Sequence, residues 1–197
     1  MDNVKTILEY MKHHNGYVSS SEVAGLNISN KCLQRMCESG LLERVAPGLY
    51  MHPDMVADDY YIAQYRCKKG VFSHETALFF HDLCDRTPLR LMMTIPSGYN
   101  TRVLKDDRYQ FFYCSQELWS FGAITMQTSF GNEIALYDAE RTLCDCLRKK
   151  DRMDSDLFLS ALKEYMKRPD RDSAKLLLNA ERFKIRDAMY QYLEVLL

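Results

Sequence analysis

The sequence predicts an α+β fold: a winged helix-turn-helix over residues 1–55, then over residues 56–197 a mixed domain with a small sheet and a C-terminal helical cluster. Three observations carry that reading. Before residue 40, apolar residues recur at helical spacing in three short segments, and two β-prone runs then flank a Pro-Gly turn. Four further β-prone runs crowd between Leu89 and Tyr137. From Asp138 the helical period returns and holds to the end of the sequence.

In the first segment Val4, Ile7, Leu8 and Met11 fall on one helical stripe, and Gly16 ends it. Ser19 stands three residues before Glu22, the spacing of a capping box, so a short second helix starts there. Ser29 is the expected cap of a third helix. Leu33 and Met36, with Cys32 and Cys37, make its buried side, which leaves Asn30, Lys31, Gln34 and Arg35 outside and Gly40 as terminator. "LLERV" and "LYMH" then surround "APG", where Pro47 sets a turn and Gly48 takes a positive φ. Three helices and a hairpin in about fifty residues make the winged arrangement.

Beyond Pro53, "DDYYIAQYRCKKG" predicts a linking helix, and "SHETALFFHDL" a second one, capped by Ser73, with Ala77, Leu78, Phe80 and Leu83 inward. Strands are expected in "LRLMMTIP", "YQFFY", "AITMQT" and "EIALY", punctuated by Gly, Ser, Asp and Asn. Four closing helices follow, and Pro169 separates the second from the third.

Composition bounds the function. Hydrophobic residues at 47% and charged residues at 27% predict a chain folded throughout. No apolar run approaches the roughly 18 residues of a membrane span, and the charged opening "MDNVKTILEYMKHH" does not read as a signal peptide, so a cytoplasmic protein is expected. The seven cysteines form no C-x-x-C pair, which points to buried thiols rather than a disulfide framework or a zinc site. Net charge is -1 overall but uneven: zero to His52, -4 from Pro53 to Leu147, and +5 from Arg148 to Arg186. A basic face therefore sits on a weakly acidic chain, enough to attract a polyanion locally.

The outward residues of the third helix point to duplex DNA. Arg pairs bidentately with guanine, Asn or Gln with adenine, and Lys with phosphate. Asn30, Lys31, Gln34 and Arg35 supply that set, with the hairpin alongside. The rival is a merely solvated helix face. Arg148, Lys149, Lys150, Lys163, Lys167, Arg168, Arg171 and Lys175 form a candidate basic surface, read either as a solubilising face or as a contact for flanking DNA or an acidic partner. His74 and His81, seven residues apart, lie about 10 Å apart along a helix, too far for one zinc ion, and His74 is expected to be satisfied by a backbone group. In "DAERTLCD", Asp138 reads as an N-cap, Glu140 as a first-turn acid and Arg141 as an ion-pair partner. No Gly-rich phosphate loop and no G-x-S-x-G occurs. Neither an enzyme, a cofactor nor a metal is expected. The alternatives are a protein-interaction module and an enzyme acting on nucleotides or nucleic acid.

"SGLLERVAPGLYMHP", "SHETALFFHDL" and "YDAERTLCDCL", in that order, resemble the wing and the two later signatures of the AbiEi family, antitoxins of type IV abortive-infection toxin-antitoxin systems. The resemblance spans nearly the whole chain. It implies a phage-defence antitoxin whose winged helix represses its own operon at inverted repeats, and whose C-terminal domain counteracts a nucleotidyltransferase-like toxin without a stable complex. By position, DNA contacts fall on Asn30, Lys31, Gln34 and Arg35, with Arg44 beside the wing. Pro47 stands where many members carry a basic residue, which argues against a wing-tip phosphate contact.

Overall fold

The first stripe of apolar residues winds into α1 (Asn3–Lys12), which buries Ile7 and Met11. The computed structural model describes residues 3–101, 104, 106–152 and 155–196. After α1 the chain reverses through Asn15 and Gly16, both at positive φ, with the Gly16 amide donating to the Met11 carbonyl at 2.9 Å. It then enters β1 (Tyr17–Ser19) and α2 (Ser20–Gly25). The capping box forms as its spacing requires: Ser19 Oγ accepts from the Glu22 amide, and the Glu22 carboxylate accepts from the Ser19 amide at 2.6 Å.

α3 (Lys31–Glu38) is preceded by Asn30, which makes no side-chain cap bond, while Ser29 Oγ, the expected cap, accepts from the Lys31 amide at 3.4 Å. The Ser29 carbonyl already accepts from the Cys32 amide at 2.8 Å, drawing Ser29 into the entry turn. At its end Gly40 takes φ +75°, its amide donates to Cys37 and that of Leu41 donates to Met36. This pair of bonds is a Schellman closure, which favours a residue without Cβ. β2 (Glu43–Ala46) and β3 (Leu49–Met51) form the hairpin, and β1 pairs on the other side of β3, giving the order β1-β3-β2. Ile7, Met11, Val18, Val23, Leu33, Met36 and Leu42 make the core beneath α1, α2 and α3. The element order is that of a winged helix.

That compact unit extends through α4 (Asp59–Arg66) to Lys68 and includes residues 127–134 from much later in the chain. Asp58 links the two stretches. One of its carboxylate oxygens caps α4, accepting from the Tyr60 and Tyr61 amides. The other accepts from Thr128 Oγ1 at 2.6 Å and Asn132 Nδ2 at 2.8 Å. Asp58 is fully buried, so each of these charge-assisted bonds offsets part of its desolvation.

The second unit, residues 69–126 and 135–197, holds β4 (Val71–Phe72), α5 (His74–Phe80), β5 (Leu91–Pro96), β6 (Tyr109–Cys114) and α6 (Gln116–Ser120). β7 (Ala123–Gln127) and β8 (Glu133–Tyr137) complete a mixed sheet of order β6-β5-β4-β8-β7. α7 (Ala139–Arg148), α8 (Ser155–Lys167), α9 (Ser173–Arg182) and α10 (Arg186–Leu196) follow. Their core gathers Leu143, Leu147, Phe158, Leu162, Tyr165, Leu176 and Met189. Ser73 stands at the N-cap of α5 but makes no cap bond. Its hydroxyl accepts from Thr94 Oγ1 and pairs with His74 Nδ1, both at 2.9 Å. His74 therefore meets a side chain and not the expected backbone group.

Candidate nucleic-acid interface

Burial of Leu33 and Met36 fixes the rotation of α3, because residues three apart share a helical face. Asn30, Lys31, Gln34, Arg35 and Glu38 are consequently all exposed. Asn30 makes no side-chain cap bond, so its carboxamide is not consumed by the helix end. Among the described residues, Lys31 and Arg35 form no ion pair, and neither does Arg44, which is exposed on β2 opposite Tyr50 of β3. Lys31 and Arg35 line a groove of about 680 Å³ together with Val4, Cys32, Met36 and Leu41. Three cations without an ion pair among the described residues and two carboxamides are thus exposed on one winged-helix unit.

Two features of this surface were not apparent from the sequence. Glu38 stands on the same exposed side of α3 and takes a hydrogen bond from Gln34 Nε2 at 3.2 Å. Its i,i+4 spacing from Gln34 was the available signal. The hairpin turn, moreover, is tied down. The Gly48 carbonyl accepts from the Ser20 amide at 2.8 Å and from the Tyr65 hydroxyl at 2.9 Å. Gly48 sits at φ +78° after Pro47, the sequence order of a type II turn. The wing is therefore short and anchored, with an uncharged tip.

The candidate basic surface does not assemble as one open face. Lys175 Nζ lies between Asp138 and Glu140 at 3.0 and 2.8 Å, and Arg148 pairs with Asp145 at 3.3 Å. Lys167 pairs with Glu164, Arg168 holds Asp170, and Arg171 donates to the Arg168 carbonyl. Lys150 and Lys163 are exposed and Lys149 is half-buried, and none of the three forms an ion pair among the described residues.

The acids of "DAERTLCD" are likewise committed. Asp138 caps α7 at the Arg141 amide, Glu140 accepts from the Tyr165 hydroxyl at 2.6 Å, and Asp145 holds Arg141 Nε at 2.8 Å. Burial raises the Glu140 carboxyl, but bonds from Lys175 and Tyr165 outweigh it and leave it below its ordinary range. Arg141 is fully buried, donates to the Leu118 and Phe121 carbonyls, and lies over the Tyr137 and Phe183 rings at 4.1 and 4.4 Å. These groups knit the domain together. His81 Nε2 is bonded to the Tyr137 carbonyl at 2.7 Å. Among the described residues no three His, Cys, Asp or Glu side chains are grouped to hold a metal ion, and no helix is long and apolar enough to cross a membrane.

Residues 6–53 match the family model of the AbiEi antitoxin transcriptional regulators. Over this segment the chain is similar to the AbiEi antitoxin regulators. The matched stretch begins inside α1 and ends just past β3, so it coincides with the three helices and the hairpin built above. It therefore contains Asn30, Lys31, Gln34, Arg35 and Arg44. No curated protein matches the chain.

Proposed function

We propose that this chain is an AbiEi-family regulator and the antitoxin of a type IV abortive-infection system, that it acts in phage defence in the cytoplasm, and that it represses its own operon at inverted-repeat DNA. α3 enters the major groove, with Asn30, Gln34 and Arg35 facing bases and Lys31 and Arg44 facing phosphates. Residues 56–197 counteract a nucleotidyltransferase-like toxin, without a stable complex and without catalysis of their own. The observation that carries the reading is the unpaired state of Lys31, Arg35 and Arg44 on the exposed side of a segment that matches a transcriptional regulator.

Binding of the full chain to duplexes from upstream of its own coding sequence, followed by fluorescence anisotropy across salt, tests it. Arg35→Ala should cost about 1–3 kcal/mol on the preferred sequence and relax choice at one base pair. Lys31→Ala should weaken all duplexes alike and lower the salt slope by about 0.9. Wild-type affinity in both variants would mean that α3 is not the reading helix.

A further inference from the structure

The outward face of α3 carries a carboxylate where a surface built only for phosphate would carry none. Lys31, Gln34, Arg35 and Glu38 occupy two turns, about 10 Å of helix axis, and a helix of about 10–12 Å diameter fits a major groove about 12 Å wide. Arg35 stands three residues before Glu38, a spacing at which the two could pair, yet Glu38 Oε1 accepts from Gln34 Nε2 and Arg35 forms no ion pair among the described residues. An ionised carboxylate only accepts hydrogen bonds, so the Gln34 amide nitrogen must face Glu38, which fixes the orientation of the carboxamide. One Nε2 hydrogen and the Oε1 oxygen of Gln34 are then left for a ligand, the donor and acceptor that match N7 and N6 of adenine.

Resting on the reading of α3 as the DNA-reading helix, we propose that Gln34 and Glu38 form one base-reading unit, in which Glu38 is a positioning residue that sets sequence selectivity. Its carboxylate holds the Gln34 carboxamide in the adenine-reading orientation. Its negative charge repels phosphates in misregistered complexes and guanine O6 and N7, and it tolerates a neighbouring cytosine, whose N4 amine donates. The residue therefore lowers affinity for DNA in general and raises the preference for one sequence. It also leaves Arg35 free for a base by not pairing with it.

The test compares the full chain with Glu38→Gln and Glu38→Ala on the preferred duplex and on a scrambled duplex of equal composition, over a range of salt. Both variants should bind the scrambled duplex severalfold more tightly, with a salt slope steeper by about 0.9. The preferred-to-scrambled ratio should fall about 5-fold or more, with the relaxation confined to one or two adjacent base pairs. A wild-type chain that discriminates, together with variants that keep its ratio, overturns the paired unit and leaves α3 as the reading helix. A wild-type chain with no salt-dependent duplex binding overturns the reading itself, and the pair with it.

Discussion

His74 shows how much one side chain can be asked to tolerate. It opens α5 at φ +51°, a region that costs most non-glycine residues energy, and its ring stacks on Phe112 with centroids 3.5 Å apart. Nδ1 meets Ser73, while Nε2 is buried without a partner among the described residues. Burial, with the charge of Arg141 adding to it, pushes the imidazole from its ordinary 6.5 down to about 3. The folded state thus holds His74 neutral where the unfolded chain would take up a proton. Its contribution to stability is complete above pH 6.5 and is lost as pH falls toward 3, at about 1.4 kcal/mol per pH unit. Urea unfolding followed from about pH 6.5 down to about pH 5 should show stability falling more steeply in the wild type than in His74→Asn, a residue that accepts the left-handed region. Equal slopes would place the ring in water. Nothing in the sequence around His74 announces this: Phe112 reaches it from a strand 38 positions away, and Thr94 reaches its neighbour Ser73 from one 21 positions away.

At the scale of elements, local chemistry decided what could be read in advance. The hairpin of β2 and β3 was legible because Pro47 and Gly48 specify their own turn, and α2 because Ser19 and Glu22 specify their own cap. β1, β4 and α6 were not legible. They have three, two and five residues, and the first two are buried at every position, so neither alternation nor helical period has room to show. Tyr65 was also silent, since its bond to Gly48 spans 17 positions. A Cβ at Gly48 would lie 3.3 Å from the Tyr65 oxygen and would hold φ +78°, so Gly48→Ala should destabilise the winged-helix unit by about 1–2 kcal/mol. Tyr65→Phe, which removes one of two bonds to the same carbonyl, should cost about 0.5–1.5 kcal/mol. Chemical denaturation reads both, and a Gly48→Ala midpoint at the wild-type value would show that the turn can relax its positive φ. Because this turn sets the pairing of Ala46 with Leu49 and so the placement of Arg44, the same variant should also weaken duplex binding.

Over the whole molecule the chain folds back on itself in a way that charge and hydropathy do not foretell. The sequence divides its charge into thirds, yet in the last third Arg148, Lys167, Arg168 and Lys175 are each matched by a nearby acid, so the +5 there reflects composition more than an open field. The stretch "TSFGN" reads as punctuation between two strands, whereas it supplies part of the first compact unit. What joins it is polar: the buried Asp58 with Thr128 and Asn132, and the exposed Asn15, whose Nδ2 donates to the Gly131 carbonyl and to Asn132 Oδ1 at 3.0 and 3.1 Å. Hydrophobic pattern analysis cannot see such a tie, because its members are turn residues about 70 and 116 positions apart. A fragment cut at residue 55 would lack Asp58, α4 and residues 127–134 together, so a weak affinity measured on it would confuse folding with contact. Full-length Asn132→Ala is the cleaner probe. It removes the bond to a buried carboxylate together with the one accepted from Asn15, and should cost about 1.5–3 kcal/mol. Since Asp58 caps α4 with its other oxygen, hydrogen exchange at the Tyr60 and Tyr61 amides should quicken in the same variant. If exchange there keeps the wild-type rate while stability falls, Asp58 holds the two stretches independently, and the cap of α4 owes nothing to residues 127–134.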